Sequence, residues 1–323
     1  MEATNTVNKR MNWLDWMKAI GMYLIVYVHY TSYGYKFLNT FNVPLFFVIS
    51  GFLAKQESSL RLFTKKNFYN LIVPMLIMTL LVQIRIFIPQ IINGTFDISY
   101  ISKVIMGVII GDQKVLGPCW FIYTLFMLKF LYQLIPNDKR YTLITLTCFC
   151  FISIVLSKNG LYVKNSIVNT FISYPFFMFG VLLKKKKDII CRGLNAKSCI
   201  LVLTLSIIVT LLCSHFNGEV WMYRNDYGKS FLLYLIGGIS GTLGIYIICK
   251  WLDKINSSIV TTIANGSIII LGLHFYILSY LHICKELDFI SAFICLILFI
   301  PVIKLCEKKL PMLIGTYRAK QQK

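Results

Sequence analysis

The chain has 323 residues, of which 57% are hydrophobic and 14% are charged, and its formal net charge is +20. A soluble domain has about a quarter charged residues, so this composition excludes a water-soluble protein and indicates an integral membrane protein. The Lys and Arg residues recur on alternate loops instead of one face, which argues against a nucleic-acid-binding protein. The ten cysteines include no CxxC pair and no spacing with His suited to zinc, so no metal site is predicted.

Apolar stretches of about 20 residues, the length that crosses the hydrocarbon core, predict an all-α integral membrane protein with about ten transmembrane helices. The predicted spans cover residues 13–33, 37–54, 68–90, 118–136, 141–157, 167–183, 198–214, 230–249, 259–281 and 287–305. Glycines and aspartates interrupt the segment 91–117, which is interpreted as surface-lying or re-entrant, with an extra span as the alternative. The linkers are short, so residues 1–323 are predicted to form a single domain.

The distribution of Lys and Arg predicts the orientation of the chain in the membrane. With the N-terminus inside, the cytoplasmic segments contain 23 Lys and Arg residues and the external segments contain 8. The run from Lys184 to Lys187 contributes most clearly to this bias. Both termini are therefore predicted to be cytoplasmic. The first apolar stretch is too long for a cleavable signal peptide and carries charges, so it is expected to remain as a helix.

The first predicted helix carries three polar side chains, although a charge at a helix centre costs roughly 2.5–3.5 kcal/mol in a bilayer. Asp15 and Lys18 are three residues apart, so they share a face and are expected to pair near the inner interface. His29 follows Lys18 by eleven residues, which places it roughly 16 Å further along nearly the same face. The alternative to a functional site is an interfacial ion pair with a histidine that bonds to a neighbouring helix.

Two motifs resemble those of the membrane-bound acyltransferase-3 enzymes, which include bacterial surface-polysaccharide O-acetyltransferases. The first is Lys18, ten residues, then His29, where the family has Arg, ten residues, then His. The second is FNVPLFFVISGF at residues 41–52, which is similar to the family's H-x-PLFF-x-xSG run. Looser matches are Lys65, Lys66, Leu71 and Pro74 before and in the third span, Trp120 and Phe121 at the start of a later one, and His274 before an aromatic residue.

The sequence departs from the family pattern at several positions within these motifs. Lys18 replaces the usual Arg, which keeps the charge but loses the bidentate fork. Asn42 stands where a second His is common, and Asn67 and Asn70 lie near the usual position of paired arginines. The resemblance extends over the whole chain in length and number of spans, whereas its specific motifs lie in residues 13–75.

The resemblance implies transfer of an acyl group, most often acetyl from cytoplasmic acetyl-CoA, to a hydroxyl of a glycan or lipid-linked saccharide at the bacterial plasma (inner) membrane. It makes His29 the expected general base, and Lys18, Lys65 and Lys66 the expected binding residues for the anionic CoA phosphates. Direct attack on the thioester and an acyl-histidine intermediate are both possible. The sequence leaves open the acceptor, the length of the acyl group and the oligomeric state.

Supporting or substrate-binding roles are predicted for six further residues: Asp15, Asn42, Ser50, Trp120, Tyr123 and His274. Some of these have a structural alternative. Ser50 with Gly51 is also typical of a close helix contact, and Trp120 with Tyr123 is typical of an interfacial aromatic belt. Arg85, in the outer half of the third span, either binds an acceptor or extends to the interface.

Two other classes of function remain as alternatives to an enzyme that works among membrane lipids. An exporter or flippase of a glycan or lipid-linked intermediate also needs many spans with buried polar groups, although the matched broken helices of transporters are not evident in the sequence. A sensor or scaffold without turnover is the third. A base at residue 29 must be a titratable imidazole, whereas a transport pathway tolerates Gln or Asn there.

Overall fold

The computed structural model describes residues 10–31, 33–158, 165–185, 195–278, 281 and 287–316. Within these ranges the chain is a bundle of helices and contains no β-strand. The helices are α1 Asn12–Tyr30, α2 Tyr35–Asn39, α3 Asn42–Leu53, α4 Leu60–Asn67, α5 Val73–Ile92, α6 Ser99–Ile110, α7 Gln113–Leu116, α8 Trp120–Leu134, α9 Lys139–Lys158, α10 Val168–Lys185, α11 Ala196–Asn217, α12 Phe231–Trp251, α13 Ser258–Asn265, α14 Ser267–Leu278 and α15 Asp288–Lys309.

Eight helical stretches in the described ranges are long and apolar enough to cross a membrane. They are Tyr35–Leu53, Leu60–Ile92, Gln113–Leu134, Lys139–Leu156, Ser166–Lys185, Ala196–Asn217, Phe231–Lys254 and Asp288–Lys309. The pair α13 and α14 makes a ninth if this bent pair is one span. The fold prediction of an all-α multi-pass membrane protein is confirmed, whereas the side on which each terminus lies stays a prediction.

The first predicted span corresponds to α1, which has 19 residues and is therefore about 28 Å long. It is not one of the eight, because its charged residues and His29 lower its hydropathy. Each of the ten predicted spans thus has a helical counterpart. Lys186 and Lys187 of the predicted cytoplasmic anchor lie outside the described residues.

The segment 91–117 does not provide a further span. Its longest helix, α6, has 12 residues and is about 18 Å long, which is too short for a hydrocarbon core of about 30 Å. Glycines with positive φ follow at Gly111 (76°) and Gly117 (53°), where the chain turns. The surface-lying or re-entrant interpretation agrees with this geometry.

Helices α3 and α10 approach each other along a seam of backbone contacts. A Cβ atom on Gly51 would lie 1.8 Å from the carbonyl oxygen of Phe177, and one on Gly180 would lie 2.0 Å from that of Val48. Only glycine fits at either position, because the opposing atoms belong to the main chain. Ser50 is next to this seam, so the motif containing Ser50 and Gly51 forms the close helix contact that was the alternative interpretation.

A sharp bend between α13 and α14 directs the end of the penultimate predicted span toward the middle of the bundle. The two helices meet at Gly266 at an angle of 85°. A Cβ atom on Gly266 would lie 2.2 Å from Cδ1 of Ile303, so the last helix packs directly against the bend. The bend places His274, on α14, beside the end of α1.

Candidate functional site

A cavity of about 540 Å³ lies beside the His29 end of α1. Its walls come from α1, α3, α5, α8 and α14, from the chain around α7, and from the loop between α11 and α12. Four residues predicted for the site line it: His29, Asn42, Trp120 and His274. The cavity therefore unites side chains from opposite ends of the sequence.

His29 is exposed and faces this cavity from the last turn of α1. Its ring centroid is 5.1 Å from that of His274 and 4.7 Å from that of Phe275. An exposed imidazole on a rigid helix is accessible to a substrate, and its neighbours restrict the orientation of its ring. This arrangement suits a base that accepts a proton from a bound molecule.

His274 is 1% exposed and forms the base of the contact with His29. Its Nδ1 is 3.0 Å from the carbonyl oxygen of Ile270 and 2.9 Å from that of Leu271. Because a carbonyl oxygen only accepts, Nδ1 carries a hydrogen and donates it, which leaves Nε2 with a lone pair in the neutral ring. Nε2 is buried and has no hydrogen-bond partner among the described residues.

The other predicted supporting residues do not all reach the cavity. Asn42 lines it, and its side chain donates to Oδ1 of Asn39 at 3.1 Å and accepts from the backbone N–H of Val43 at 2.7 Å. Tyr123 and Ser50 are not among the lining residues. The hydroxyl of Tyr123 donates instead to the carbonyl oxygen of Ile109 at 2.9 Å. Tyr123 thus holds the last turn of α6.

Asp15 and Lys18 form no ion pair within 4.0 Å among the described residues, although the carboxylate lies close enough to act electrostatically on the ammonium. Asp15 accepts a hydrogen bond from Nε of Arg10, and their ion pair is close. The same guanidinium donates to Oδ1 of Asn265 at 2.8 Å, and Asn265 donates to Glu307 at 2.7 Å. A guanidinium carries five donors in a planar fork, so Arg10 bridges Asp15 and Asn265 in a way that an ammonium cannot. Asp15 therefore belongs to a structural network between α1, α13 and α15.

Three lysines, Lys18, Lys66 and Lys129, form a group at the end of the bundle that α1 enters, termed here the lysine cluster. Lys129 lies close enough to the other two for their charges to repel one another. The contact of Phe63 with Phe130, whose ring centroids are 6.2 Å apart, brings α4 against α8 at this level. Lys66 pairs with Glu57 at 2.5 Å. Lys18 and Lys129 are half-buried, and in the described part of the chain neither forms an ion pair within 4.0 Å.

This excess of positive charge suits an anionic ligand, because half-buried cations that lack a direct ion pair are costly. Lys65, the third predicted CoA-binding residue, is exposed on the outer side of α4. For metals, no group of three or more His, Cys, Asp or Glu side chains that would hold an ion occurs within the described ranges.

Several residues at these two sites were missed from the sequence. Gln113, Trp221 and Tyr223 line the cavity without having been predicted for it. Arg85, for which acceptor binding was one of two interpretations, also lines it, and its guanidinium lies 5.7 Å from the ring centroid of Tyr276. Lys129 was visible as a charge within an apolar span, which is a signal for a functional residue. No local pattern identified the other three, since polar and aromatic residues in loops are common.

The comparison with known families agrees with this geometry. The model of the acyltransferase-3 family, described as an acyltransferase domain, matches residues 11–309. No curated protein and no solved structure matches the chain. The matched range contains all of the cavity and all of the lysine cluster.

Proposed function

The chain belongs to the acyltransferase-3 family and is a membrane acyltransferase, and we propose that it transfers acetyl from cytoplasmic acetyl-CoA to a hydroxyl of a glycan or lipid-linked saccharide. The observation that carries this proposal is His29, which is exposed to the cavity and packs against a buried second histidine. The plasma (inner) membrane of a bacterium is the proposed location.

In the proposed reaction His29 is the general base. It removes the proton from the acceptor hydroxyl as that oxygen attacks the thioester carbonyl carbon. The new C–O bond forms, the C–S bond breaks, and the leaving thiolate receives the proton from His29 to give free CoA. A positioned base contributes about 10²–10⁴-fold to such a step. His274 supports the base, because its neutral ring fixes the orientation of His29 without adding a competing charge.

The lysine cluster is the proposed site for the CoA phosphates. Lys18 and Lys129 form no ion pair within 4.0 Å in the described part of the chain, so a bound polyanion would compensate positive charge that no direct partner neutralises. Lys18 and His29 are roughly 16 Å apart along α1. The flexible arm of the donor is proposed to lie along this helix, with the phosphates at the lysine cluster and the thioester beside His29.

The aromatic walls of the cavity suit a saccharide acceptor. Trp120, Trp221 and Tyr223 present large apolar faces together with polar edges, a combination that binds ligands with both apolar and hydroxyl-bearing surfaces. We propose, from the Lys and Arg distribution, that this end of the bundle lies outside the cytoplasm. An acceptor at the outer leaflet, such as a lipid-linked saccharide, would enter here.

The test supplies labelled acetyl-CoA to purified protein in liposomes with a glycan mixture, and follows both loss of thioester and label on the glycan. Wild type is compared with His29→Ala, and with His215→Ala as a matched control, because His215 is exposed and lies outside the cavity. We expect at least a 100-fold loss for His29→Ala at an unchanged unfolding temperature, and wild-type rates for the control.

Wild-type turnover by His29→Ala would rule out its role as the base. If wild type neither consumes acyl-CoA of any chain length nor labels a glycan, but moves a lipid-linked saccharide across the bilayer, the exporter is the better interpretation. The family match favours the enzyme.

A further inference from the structure

Gln113 is a buried amide in the wall of the cavity, and it has no partner among the described residues. It is the first residue of α7, lines the cavity and is 6% exposed. Both its Oε1 and its Nε2 are buried, and neither has a hydrogen-bond partner among the described residues. An amide has two donor hydrogens and an acceptor oxygen with two lone pairs. Gln113 thus offers complete hydrogen-bonding capacity that the protein itself does not use.

A neighbouring glutamine, Gln83, is a buried amide whose hydrogen bonds are made within the protein. Gln83, on α5, is 1% exposed, donates to the carbonyl oxygen of Val115 at 2.7 Å and accepts from the hydroxyl of Tyr100 at 3.2 Å. Buried polar groups without partners destabilise the folded state, and an apolar side chain of similar volume would avoid this cost at residue 113. The amide at Gln113 is therefore better explained by a ligand than by packing.

The segment that carries Gln113 is held firmly in place. The side chain of Asp112 accepts from the backbone N–H of Lys114 at 2.9 Å, and Asn165 donates to the carbonyl oxygen of Ile110 at 2.8 Å. The hydroxyl of Tyr123 holds the preceding turn at Ile109. These bonds hold the main chain that carries Gln113, whereas its side-chain amide is bound by none of them and can turn toward a ligand in the cavity.

We propose that Gln113 is the residue with which the cavity recognises the acceptor, by binding two adjacent hydroxyls of a pyranose ring. One hydroxyl donates to Oε1 and the other accepts from Nε2. This inference rests on the proposed transfer to a saccharide. A sugar that lacks either hydroxyl would leave part of the amide buried and unpaired, and sites of this kind discriminate strongly against analogues that lack the bonding group. Gln113 would thereby select which face of the sugar approaches His29.

The test compares Gln113→Met with the matched control Gln83→Met, both purified in lipid nanodiscs. Binding of the methyl glycosides of glucose, galactose, mannose and N-acetylglucosamine, and of their monodeoxy analogues, is followed by the fluorescence of the tryptophans that line the cavity. Thermal unfolding and acetyl-CoA consumption are measured on the same samples. Gln113→Glu, which retains the acceptor and loses the donors, is the second variant.

We expect Gln113→Met to unfold at the wild-type temperature or above it, to bind the preferred glycoside at least tenfold more weakly and to lose discrimination against its deoxy analogues. Gln113→Glu should lose discrimination at one of the two hydroxyls. Gln83→Met should unfold several degrees lower, because it leaves two groups without a partner. Wild-type affinity and discrimination in Gln113→Met would overturn the proposal, as would a wild type that binds none of the glycosides.

Acetyl-CoA consumption separates this inference from the proposed function. A wild type that discriminates between glycosides through Gln113 but consumes no donor would retain the recognition site and refute acyl transfer from acetyl-CoA. If the Gln113→Met variant transfers acetyl with the same preference among glycosides as the wild type, acyl transfer is retained and the role of Gln113 is refuted.

Discussion

Two regions of the bundle use space in opposite ways. At the seam between α3 and α10, the main chains approach until glycine is the only residue that fits at Gly51 and Gly180. The cavity, by contrast, leaves a volume of about 540 Å³ open. In its wall, polar atoms of His274 and Gln113 have no hydrogen-bond partner in the described part of the chain. The seam is built for stability, whereas the cavity retains costs that a ligand would offset.

One helix connects these two regions. Asn42, at the start of α3, lines the cavity, and Gly51, near its end, lies in the seam. The seam therefore fixes the helix that forms one wall of the cavity. The motif at residues 41–52 therefore has two roles, close packing against α10 and formation of the cavity wall, and different residues serve each role. Three substitutions, one at the seam, one in the cavity and one in the lysine cluster, are given below in order of expected effect.

The largest effect is expected from Gly51→Ala, which breaks the seam. The added Cβ would lie 1.8 Å from the carbonyl oxygen of Phe177, so the two main chains must separate. Overpacking of this kind typically costs about 1–3 kcal/mol and more where backbone must move. We expect a large decrease in the yield of folded protein, or a decrease of several degrees in the unfolding temperature in detergent.

Gly244→Ala is the control for this prediction. A Cβ atom on Gly244 would have its nearest neighbours at 3.5 and 3.7 Å, which are ordinary contacts. Alanine also favours the helix by up to about 1 kcal/mol relative to glycine. Equal stability of the two variants would show that the seam is not as closely packed as described.

A smaller effect, on activity alone, is expected from His274→Leu within the cavity. The substitution removes the ring against which His29 packs and keeps a similar volume. Under the proposed mechanism we expect kcat to fall by about 10- to 100-fold, because misplacement of a catalytic group by about 1 Å has effects of this size. The KM for acetyl-CoA should not change, and steady-state kinetics would measure both.

The double variant His29→Ala with His274→Leu sharpens this prediction. If His274 acts through His29, the second substitution should cause little further loss, because residues that act as a unit are not additive. Additive losses in the two single variants would instead indicate independent roles.

The smallest effect is expected from Lys129→Met, at the far end of the molecule from the cavity. Loss of one cation from the lysine cluster should raise the KM for acetyl-CoA by about tenfold at low salt, and less at high salt, because charge–charge interactions are screened. Lys129→Arg should remain near wild type. Lys139→Met, an exposed position at the start of α9, is the control. A change in acceptor affinity instead of donor affinity would contradict the assignment.

Much of the fold was predictable because the signals for it are local. Each apolar stretch long enough to cross a bilayer has a helical counterpart, since satisfying the backbone within a membrane leaves helices as the simplest structure. The positions of Lys18 and His29 on one helix follow from spacing alone. The motif in α3 was also readable, although its glycine contact with Phe177 was only one of two interpretations.

The site was predictable only in part, and the failures have a common cause. Asp15 was expected to bond within its own helix, but Arg10 has more donors and reaches both Asp15 and Asn265. Tyr123 was expected at the site, and its hydroxyl instead holds the chain at Ile109. In each case the partner is chosen by tertiary geometry, for which the local pattern carries no signal.

By itself, the sequence determined the class of protein and the order of its helices, and it indicated one histidine, His29, as the proposed base. These properties depend on composition and on spacing within one helix. Only the tertiary structure decided that His274, 245 residues after His29, lies against it and that Lys129 joins Lys18 and Lys66. It also decided that Gln113 is buried in the wall of the same cavity with no partner in the described part of the chain. Such contacts join residues far apart in the chain, and they form because the helices pack in one particular arrangement that close backbone approaches permit.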